Sequence, residues 1–487
     1  MILFNPNDLL AMVPELYLLG ATFAILLLDL FLEPDQRGIT HWLSLTVVVL
    51  TGVLTWLDAP AQGQAVAAFD GMFLHDGVAT VLKLFVLITT AIVFVYGRGY
   101  LRDRKLFIGE FYLLILFATL GMLLLVSAGS LLTVYLGLEL LTLSSYALVA
   151  LNRDSPLSSE AAIKYFVLGA LASGLLLYGM SMIYGATGSL DLAHIHAATG
   201  SHRTLLAFGV VFLVVGAAFK LGAAPFHMWL PDVYQGAPTA VTLFVGSASK
   251  LAAFGMTYRL LEGAVGDLHP QWTLMLSLLA VLSLAVGNVF AIAQTNLKRM
   301  LAYSTISHIG FLLLGFVNGT PAGYAAAMFY MISYVLMATV AFGMIMLLAR
   351  AGFEAEEIDD FKGLNQRNPW YAGIMAITMF SLAGVPPLFG FFAKLMVLKA
   401  AIDAGQLWLA IVAIVFAIVG IYYYLRVVKV MYFDAPREDA PLALPADNTF
   451  RWALSINGLA LIALGIAWGP LFDWCSHAFT IVAETTR

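Results

Sequence analysis

Residues 217–239 read AAFKLGAAPFHMWLPDVYQGAPT, an apolar stretch interrupted by Gly222, Pro225 and Pro231 and carrying a lysine, Lys220. A proline removes one backbone donor and clashes with the preceding turn, so a helix here is broken. A second stretch repeats the theme: residues 381–395 read SLAGVPPLFGFFAKL, with Gly384, Pro386 and Pro387 in mid-run and Lys394 seven residues on. Backbone freed at membrane depth must be satisfied by protein or by water in a cavity. Paired broken segments in two halves of a transporter point to its polar path.

Working outward, apolar runs long enough to cross a bilayer recur along the chain at 9–30, 40–58, 77–97, 109–127, 130–151, 163–184 and 204–228. They continue at 239–261, 272–294, 301–318, 324–349, 370–401, 407–432 and 452–472, fourteen runs in all. The predicted fold is therefore an all-α polytopic membrane protein of about fourteen transmembrane helices. A β-barrel is excluded, because barrel strands alternate in segments of about ten residues and these runs are apolar all round. Of 487 residues 61% are hydrophobic and 11% charged, and mean hydropathy is +0.92; a soluble domain carries about 25% charged residues.

The breaks lie five spans apart, and an odd number of spans per repeat inverts the second copy. Spans four to eight and nine to thirteen are thus expected to be two inverted five-helix repeats, each with one broken helix. The expected divisions are 1–108 for the first three helices, 109–262 and 263–433 for the repeats, and 434–487 for the last helix. No cofactor-binding domain fits into the loops, the longest being about 185–203, 350–369 and 433–451. The single cysteine, Cys475, excludes a disulfide framework and a Cys-based cluster. His194, His196 and His202 share one outer loop, but no cysteine or carboxylate cluster completes a metal site there. A basic n-region is missing before the first apolar run, whose nearest cation is Arg37, so no signal peptide is expected.

Basic residues orient the spans. With both termini outside, sixteen of the 24 lysines and arginines fall in cytoplasmic loops, among them Arg98, Arg102, Arg104, Lys298, Arg299 and Arg437. Only Arg203, Arg259 and Arg487 fall outside, and Lys83, Lys220, Lys250, Lys394 and Lys399 lie within spans. That asymmetry obeys the positive-inside rule. Lys83 and Lys399 lie nearer helix ends and are expected to snorkel.

Four ionisable groups remain deep in the membrane: Glu139, Lys220, Lys250 and Lys394. A charge there costs about 2.5–3.5 kcal/mol on insertion scales, and such residues mark ion or proton paths by default. Burial and a close opposite charge shift a carboxylate or an amine in opposite directions. Separating a Glu–Lys pair by a few ångströms thus switches a lysine between holding and releasing its proton, without metal or cofactor. His227 at the first break and His308 in YSTISHIGF could relay protons between the lysines, since neutral imidazole both donates and accepts. Tyr303, Ser304, Thr305 and Ser307 make that helix polar enough to hold water. Glu160 and Lys164, four apart at a helix end, read as an ordinary surface pair.

The segments KLGAAPFHMWLPDVYQGAPT, NLKRMLAYSTISHIGF and SLAGVPPLFGFFAKL closely resemble the antiporter-like membrane subunits of proton-pumping NADH:quinone oxidoreductase, bacterial complex I. The resemblance spans essentially the whole chain and is shared with Mrp-type sodium/proton antiporter subunits and membrane-bound hydrogenases. The chain leaves no room for the lateral helix of subunit L and carries Lys394 where subunit M typically has Glu. The resemblance implies that Glu139 pairs with Lys220, that Lys250 lies on a central axis, that Lys394 lies toward the exit, and that His227 and His308 sit between. It further implies a translocase subunit of the bacterial inner membrane, coupling quinone reduction elsewhere to proton transfer. NADH, FMN, iron–sulfur clusters and quinone would be held by partner subunits, and no cofactor, metal or nucleic acid by this chain. The alternatives from the residues alone are a stand-alone sodium/proton antiporter subunit or a scaffold. A scaffold gains nothing from burying these charges.

Overall fold

The computed structural model describes residues 6–198, 202–436 and 447–480. Arg437, Arg487 and both chain ends, used above for orientation, lie outside the described residues. The chain first runs through α1 (Val13–Asp29), α2 (Gly38–Leu57), α3 (Gly77–Asp103), α4 (Gly109–Val126), α5 (Leu131–Val149) and α6 (Pro156–Thr187). The seventh expected span forms two helices, α7 (Arg203–Leu221) and α8 (Trp229–Gly236). Next come α9 (Thr239–Gly246), α10 (Ala248–Tyr258), α11 (His269–Ile292), α12 (Leu297–Val317) and α13 (Pro321–Leu348). The twelfth span is again two helices, α14 (Pro369–Ala383) and α15 (Phe389–Asp403), followed by α16 (Leu407–Phe433), α17 (Asn448–Ile466) and α18 (Gly469–Ala478). A hairpin of β1 (Val66–Ala68) and β2 (Phe73–His75) pairs Val66 with His75.

Twelve helices among the described residues are long and apolar enough to cross a membrane. The two expected spans not among them are the run at 9–30, a helix of 17 residues, and the run at 370–401, split into two halves of 15 residues each. Both departures have a local cause: α1 starts late, at Val13, and Gly384 ends α14.

Helix starts follow from the sequence. Pro156, Pro321 and Pro369 occupy the first turn, where the missing N–H has no partner to lose. Asp76, Ser130, Asn296 and Thr320 cap α3, α5, α12 and α13 by accepting a backbone N–H three residues on. Pro231 belongs to the class of first-turn prolines. It sits in the first turn of α8 and does not interrupt a helix, contrary to what the sequence suggests. Small residues set the closest approaches. A Cβ on Gly121 would stand 2.7 Å from Leu141 N, and one on Gly137 2.9 Å from Leu125 N, so α4 and α5 pack backbone to backbone.

The most deeply buried helices are α9, α10, α12 and α13, enclosed on all sides, whereas α6 and α16 present broad apolar faces outward. Two cations expected at the membrane edge are instead interior. Lys83 does not snorkel: it is 1% exposed, and its Nζ lies 2.7 Å from Glu15 Oε1. The acid on α1 meets it inside the protein, so the ammonium has no need to reach water. Arg259 is not a loop cation either. The helix continues past Tyr258 as a wider turn, Arg259–Ala264, and Arg259 binds Asp76 through two hydrogen bonds of 2.6 and 2.7 Å. Lys399 is exposed.

Candidate functional site

Both broken helices end in the same backbone motif. Gly222 and Gly384 adopt φ of +87° and +88°, a left-handed conformation that side chains rarely tolerate. The next residue folds back over the end: Ala223 N donates to Ala218 O at 2.8 Å, and Val385 N to Phe380 O at 3.0 Å. This is the Schellman arrangement of a helix C-terminus, placed here inside each of the two split spans. It still leaves carbonyls unpaired at the negative end of each helix dipole.

A lysine ammonium covers those carbonyls in each case. Lys250 Nζ donates to Leu221 O at 2.8 Å and Lys220 O at 3.4 Å. Lys394 Nζ donates to Leu382 O at 2.9 Å and Ala383 O at 2.8 Å. Each ammonium also faces an aromatic ring, Trp229 for Lys250 at 4.9 Å and Phe311 for Lys394 at 5.1 Å. The two caps reach their carbonyls from different places. Lys394 comes from the second half of its own broken helix, Lys250 from the neighbouring α10. Each break is anchored too: Ala224 N in the first linker donates to Ser283 Oγ at 2.9 Å, and Gly390 N in the first turn of α15 donates to Ser381 Oγ on α14 at 3.0 Å.

Lys220, the last but one residue of α7, is 4% exposed, and its Nζ has no hydrogen-bond partner among the described residues. Glu139 acts on Lys220 electrostatically but does not touch it, so the pair implied by the resemblance is held apart. No Lys220–Glu139 contact among the described residues falls within ion-pair distance, and the carboxylate instead accepts a hydrogen bond from Ser173 on α6. Glu139 is half-buried on the α5 face that turns toward α6, which explains the partner it finds. His227 is half-buried in the linker between α7 and α8, with Nδ1 unpartnered and no hydrogen bond to any of the three lysines among the described residues.

His308 is fully enclosed. Its Nδ1 lies 2.6 Å from Tyr330 Oη and its Nε2 3.1 Å from Tyr424 Oη. Tyr424 Oη in turn contacts Ser304 Oγ, and Tyr334 Oη contacts Thr305 Oγ1 at 2.7 Å. Phe311, one turn along α12 from His308, is the ring beneath the Lys394 ammonium. Hydroxyls that both donate and accept thus flank a ring that does the same. Ser304 and Thr305 were legible as polar helix residues; Tyr330 on α13 and Tyr424 on α16 were not.

At the end of the molecule where α8 stops, Lys298 is 2% exposed and donates to Ala237 O at 2.8 Å, capping α8. It is a buried structural cation, not a free loop charge. Lys164 pairs with Glu160 at 2.8 Å, as the spacing suggests, and also with Asp232 on α8 at 2.8 Å, which Arg299 meets at 2.7 Å. In the loop between α6 and α7 His194 lies 2.8 Å from Asp191 and His196 3.6 Å from Asp267, and among the described residues no three ligands converge on a metal site.

The chain matches the family described as NADH:quinone oxidoreductase/Mrp antiporter, TM over residues 128–420, which contain Glu139, the three lysines and both histidines. NADH-quinone oxidoreductase subunit N of Xanthomonas euvesicatoria is 58% identical over 478 residues, covering 98% of this chain and 97% of its own length. The subunit N of Herminiimonas arsenicoxydans is 55% identical over 489 residues, covering 97% of this chain and 98% of its own. A chain of respiratory complex I from Thermus thermophilus superposes with a TM-score of 0.81 at 34% identity, over 94% of this chain and 98% of that one. A chain of the Mrp complex from Dietzia sp. shares the fold, with a TM-score of 0.86 at 20% identity over 98% of each chain. Relatives alike from end to end, together with the two broken helices and their lysines, lead to one conclusion: the chain belongs to the family of NADH-quinone oxidoreductase subunit N, the antiporter-like membrane subunits of complex I.

Proposed function

We propose that this chain moves protons across the bacterial inner membrane as a membrane-arm subunit of an NADH:quinone oxidoreductase, a translocase component with no redox centre of its own. The observation that carries this reading is the placing of Lys250 and Lys394 on the open carbonyls of two mid-membrane helix ends. In each, a proton-bearing group is tied to a backbone element able to move. Lys220 stands one residue before the end of α7, beside the first of these caps. Its Nζ has no hydrogen-bond partner among the described residues, so as a neutral amine it is free to take a proton and as an ammonium to pass it on.

In the proposed cycle Glu139 leaves Ser173 and approaches Lys220, then withdraws. The proton passes from Lys220 to Lys250 and along the Tyr330–His308–Tyr424 hydroxyls toward Lys394. Glu139 and Lys394 are both half-buried, so each end of the path lies near the surface of the chain, where a neighbouring membrane-arm subunit can act on it. His227 flanks the first break as a further relay. Gly222, Pro225, Gly384, Pro386 and Pro387 supply the breaks.

Residues 109–262 and 263–433 are proposed as the two inverted repeats, with 1–108 and 434–487 flanking them. The matched glycine-capped ends of α7 and α14 support that division. Both termini are proposed to face the periplasm, on the charge asymmetry of the loops. NADH, FMN, iron–sulfur clusters and quinone are proposed to lie in partner subunits. One cysteine, itself fully buried, offers no ligand set for a cluster. An Mrp-type antiporter role is less well supported, because the Mrp likeness at 20% identity extends to the fold alone.

The test is Glu139→Ala in a complex whose assembly has been verified. Proton pumping into inverted vesicles should fall several-fold, while NADH oxidation by the peripheral subunits with an artificial acceptor persists. Full pumping in that variant would remove Glu139 from the path.

A further inference from the structure

A cleft of about 570 Å³ opens where the end of α16 meets the loop before α14. Three cations, Lys362, Arg426 and Lys429, and two acids, Asp359 and Asp434, line it, with Tyr422 and Leu425 at one edge. Two of the three cations already have acids: Lys362 lies 2.8 Å from Asp359 and Lys429 3.0 Å from Asp434. Arg426 does not. Its Nη1 donates to Ile292 O at 3.3 Å and Gln294 O at 3.0 Å, which fixes the guanidinium in place. Its remaining N–H groups have no acceptor, and no carboxylate pairs with it, among the described residues. Among the described residues the cleft thus holds one cation more than its acids, with oriented donors still open.

Beneath the cleft, α16 presents a continuous apolar stripe. Ile411, Val415, Ile418, Tyr422 and Leu425 follow at steps of four, three, four and three residues and are 53, 52, 64, 59 and 42% exposed. At about 1.5 Å per residue the stripe is about 20 Å long, matching an acyl chain that runs from the interface into one leaflet. A basic pocket at the end of an exposed membrane helix is a recognised setting for anionic lipid headgroups. Arg suits a phosphate particularly well, since its fork can bind two oxygens at once.

We propose that this cleft is a binding site for the phosphate headgroup of an anionic phospholipid, with Arg426 as its main ligand, Lys429 and Lys362 beside it, and the α16 stripe holding an acyl chain. The site is separate from the proton path and does not depend on that reading. A free phosphate would use the same donors but not the stripe, and a neighbouring polypeptide would use the stripe but has no need of the unpaired guanidinium.

The experiment uses the intact complex in nanodiscs of phosphatidylcholine carrying a minor share of cardiolipin, with bound lipid counted by native mass spectrometry. The Arg426→Gln variant should retain one fewer cardiolipin, with affinity about five-fold weaker for each cation removed. Lys429→Gln, at a side chain 63% exposed in this chain, should weaken binding by a similar factor. Excess inorganic phosphate should leave the lipid in place. A photo-crosslinking residue at Tyr422 should label lipid. Unchanged cardiolipin retention in both variants, displacement by free phosphate, or crosslinking to polypeptide would each overturn the proposal.

Discussion

Lys220→Ala in an assembled complex is expected to lower NADH:quinone electron transfer and proton pumping together, each by about a hundred-fold, the lower end of what a positioned proton-transfer group contributes. The expectation rests on the burial of the side chain and on its unpartnered Nζ. A lysine kept in place only for packing would not be left with its nitrogen unsatisfied inside the protein. Lys220→Arg separates the two roles. Arginine keeps the positive charge but is not deprotonated in proteins, so a proton-passing site fails with it and a merely electrostatic site survives. Both rates, measured in sealed inverted vesicles, decide the matter. Normal values in Lys220→Ala would make the lysine structural, and activity retained in Lys220→Arg would make it a fixed charge.

The second large effect is expected at the other pole of the molecule. Arg259→Ala removes the partner of Asp76, whose two oxygens it holds at 2.6 and 2.7 Å. Arg259 Nε also donates to Val126 O at 3.0 Å, so one guanidinium ties the start of α3, the end of α4 and the end of α10. Breaking a buried pair from one side costs about 3–5 kcal/mol, because a charge is left buried and uncompensated. The yield of assembled complex and its thermal midpoint should both fall. Asp76→Asn combined with Arg259→Ala should recover part of the loss, since no lone charge remains. By contrast Lys164→Ala, at a side chain 42% exposed between Glu160 and Asp232, should shift stability by under about 1 kcal/mol. Equal effects at the two sites would contradict this ranking.

The Asp76–Arg259 tie also has a pH signature. Burial pushes the Asp76 carboxyl up, but the paired Arg259 outweighs it and holds the group below the ordinary value of 3.8. Stability from this carboxylate is therefore complete above about pH 3.8 and is lost only as pH falls further, through the depressed value. Acidification across the physiological range should leave the tie intact.

The breaks were legible because Gly and Pro are the costliest residues in a helix interior, so a cluster of them inside an apolar run marks a place where the helix stops. Which lysine serves which break was not. Lys220 and Lys394 lie beside the two breaks in sequence, yet the first break is capped by Lys250, which α10 brings back from 28 residues beyond Gly222. Sequence distance does not report contacts between packed helices. Tyr330 and Tyr424 escaped notice because a tyrosine in an apolar helix reads as bulk or as an interfacial anchor. Only the fold aims both hydroxyls at His308. Glu15 left a signal that could have been used: a lysine within a span needs an acceptor, and Glu15 is an acid inside the first apolar run. Pro231 misled because proline stops a helix or starts one depending on its register, and here Trp229 begins the next helix two residues earlier.

The two lysine caps make the shape of the backbone and the occupancy of a proton interchangeable quantities. An ammonium docked on Leu221 O or Ala383 O stabilises the helix end in its present geometry. By thermodynamic reciprocity, whatever displaces that helix end must alter the lysine's affinity for its proton by the same free energy. A push on the linker and a change of protonation are then one event seen from two sides. In the proposed cycle no separate signalling element is required: the helix end that moves is itself the ligand of the lysine that carries the proton. The same reciprocity runs backward, so an imposed proton gradient should strain the hinges and return work to whatever is coupled to them.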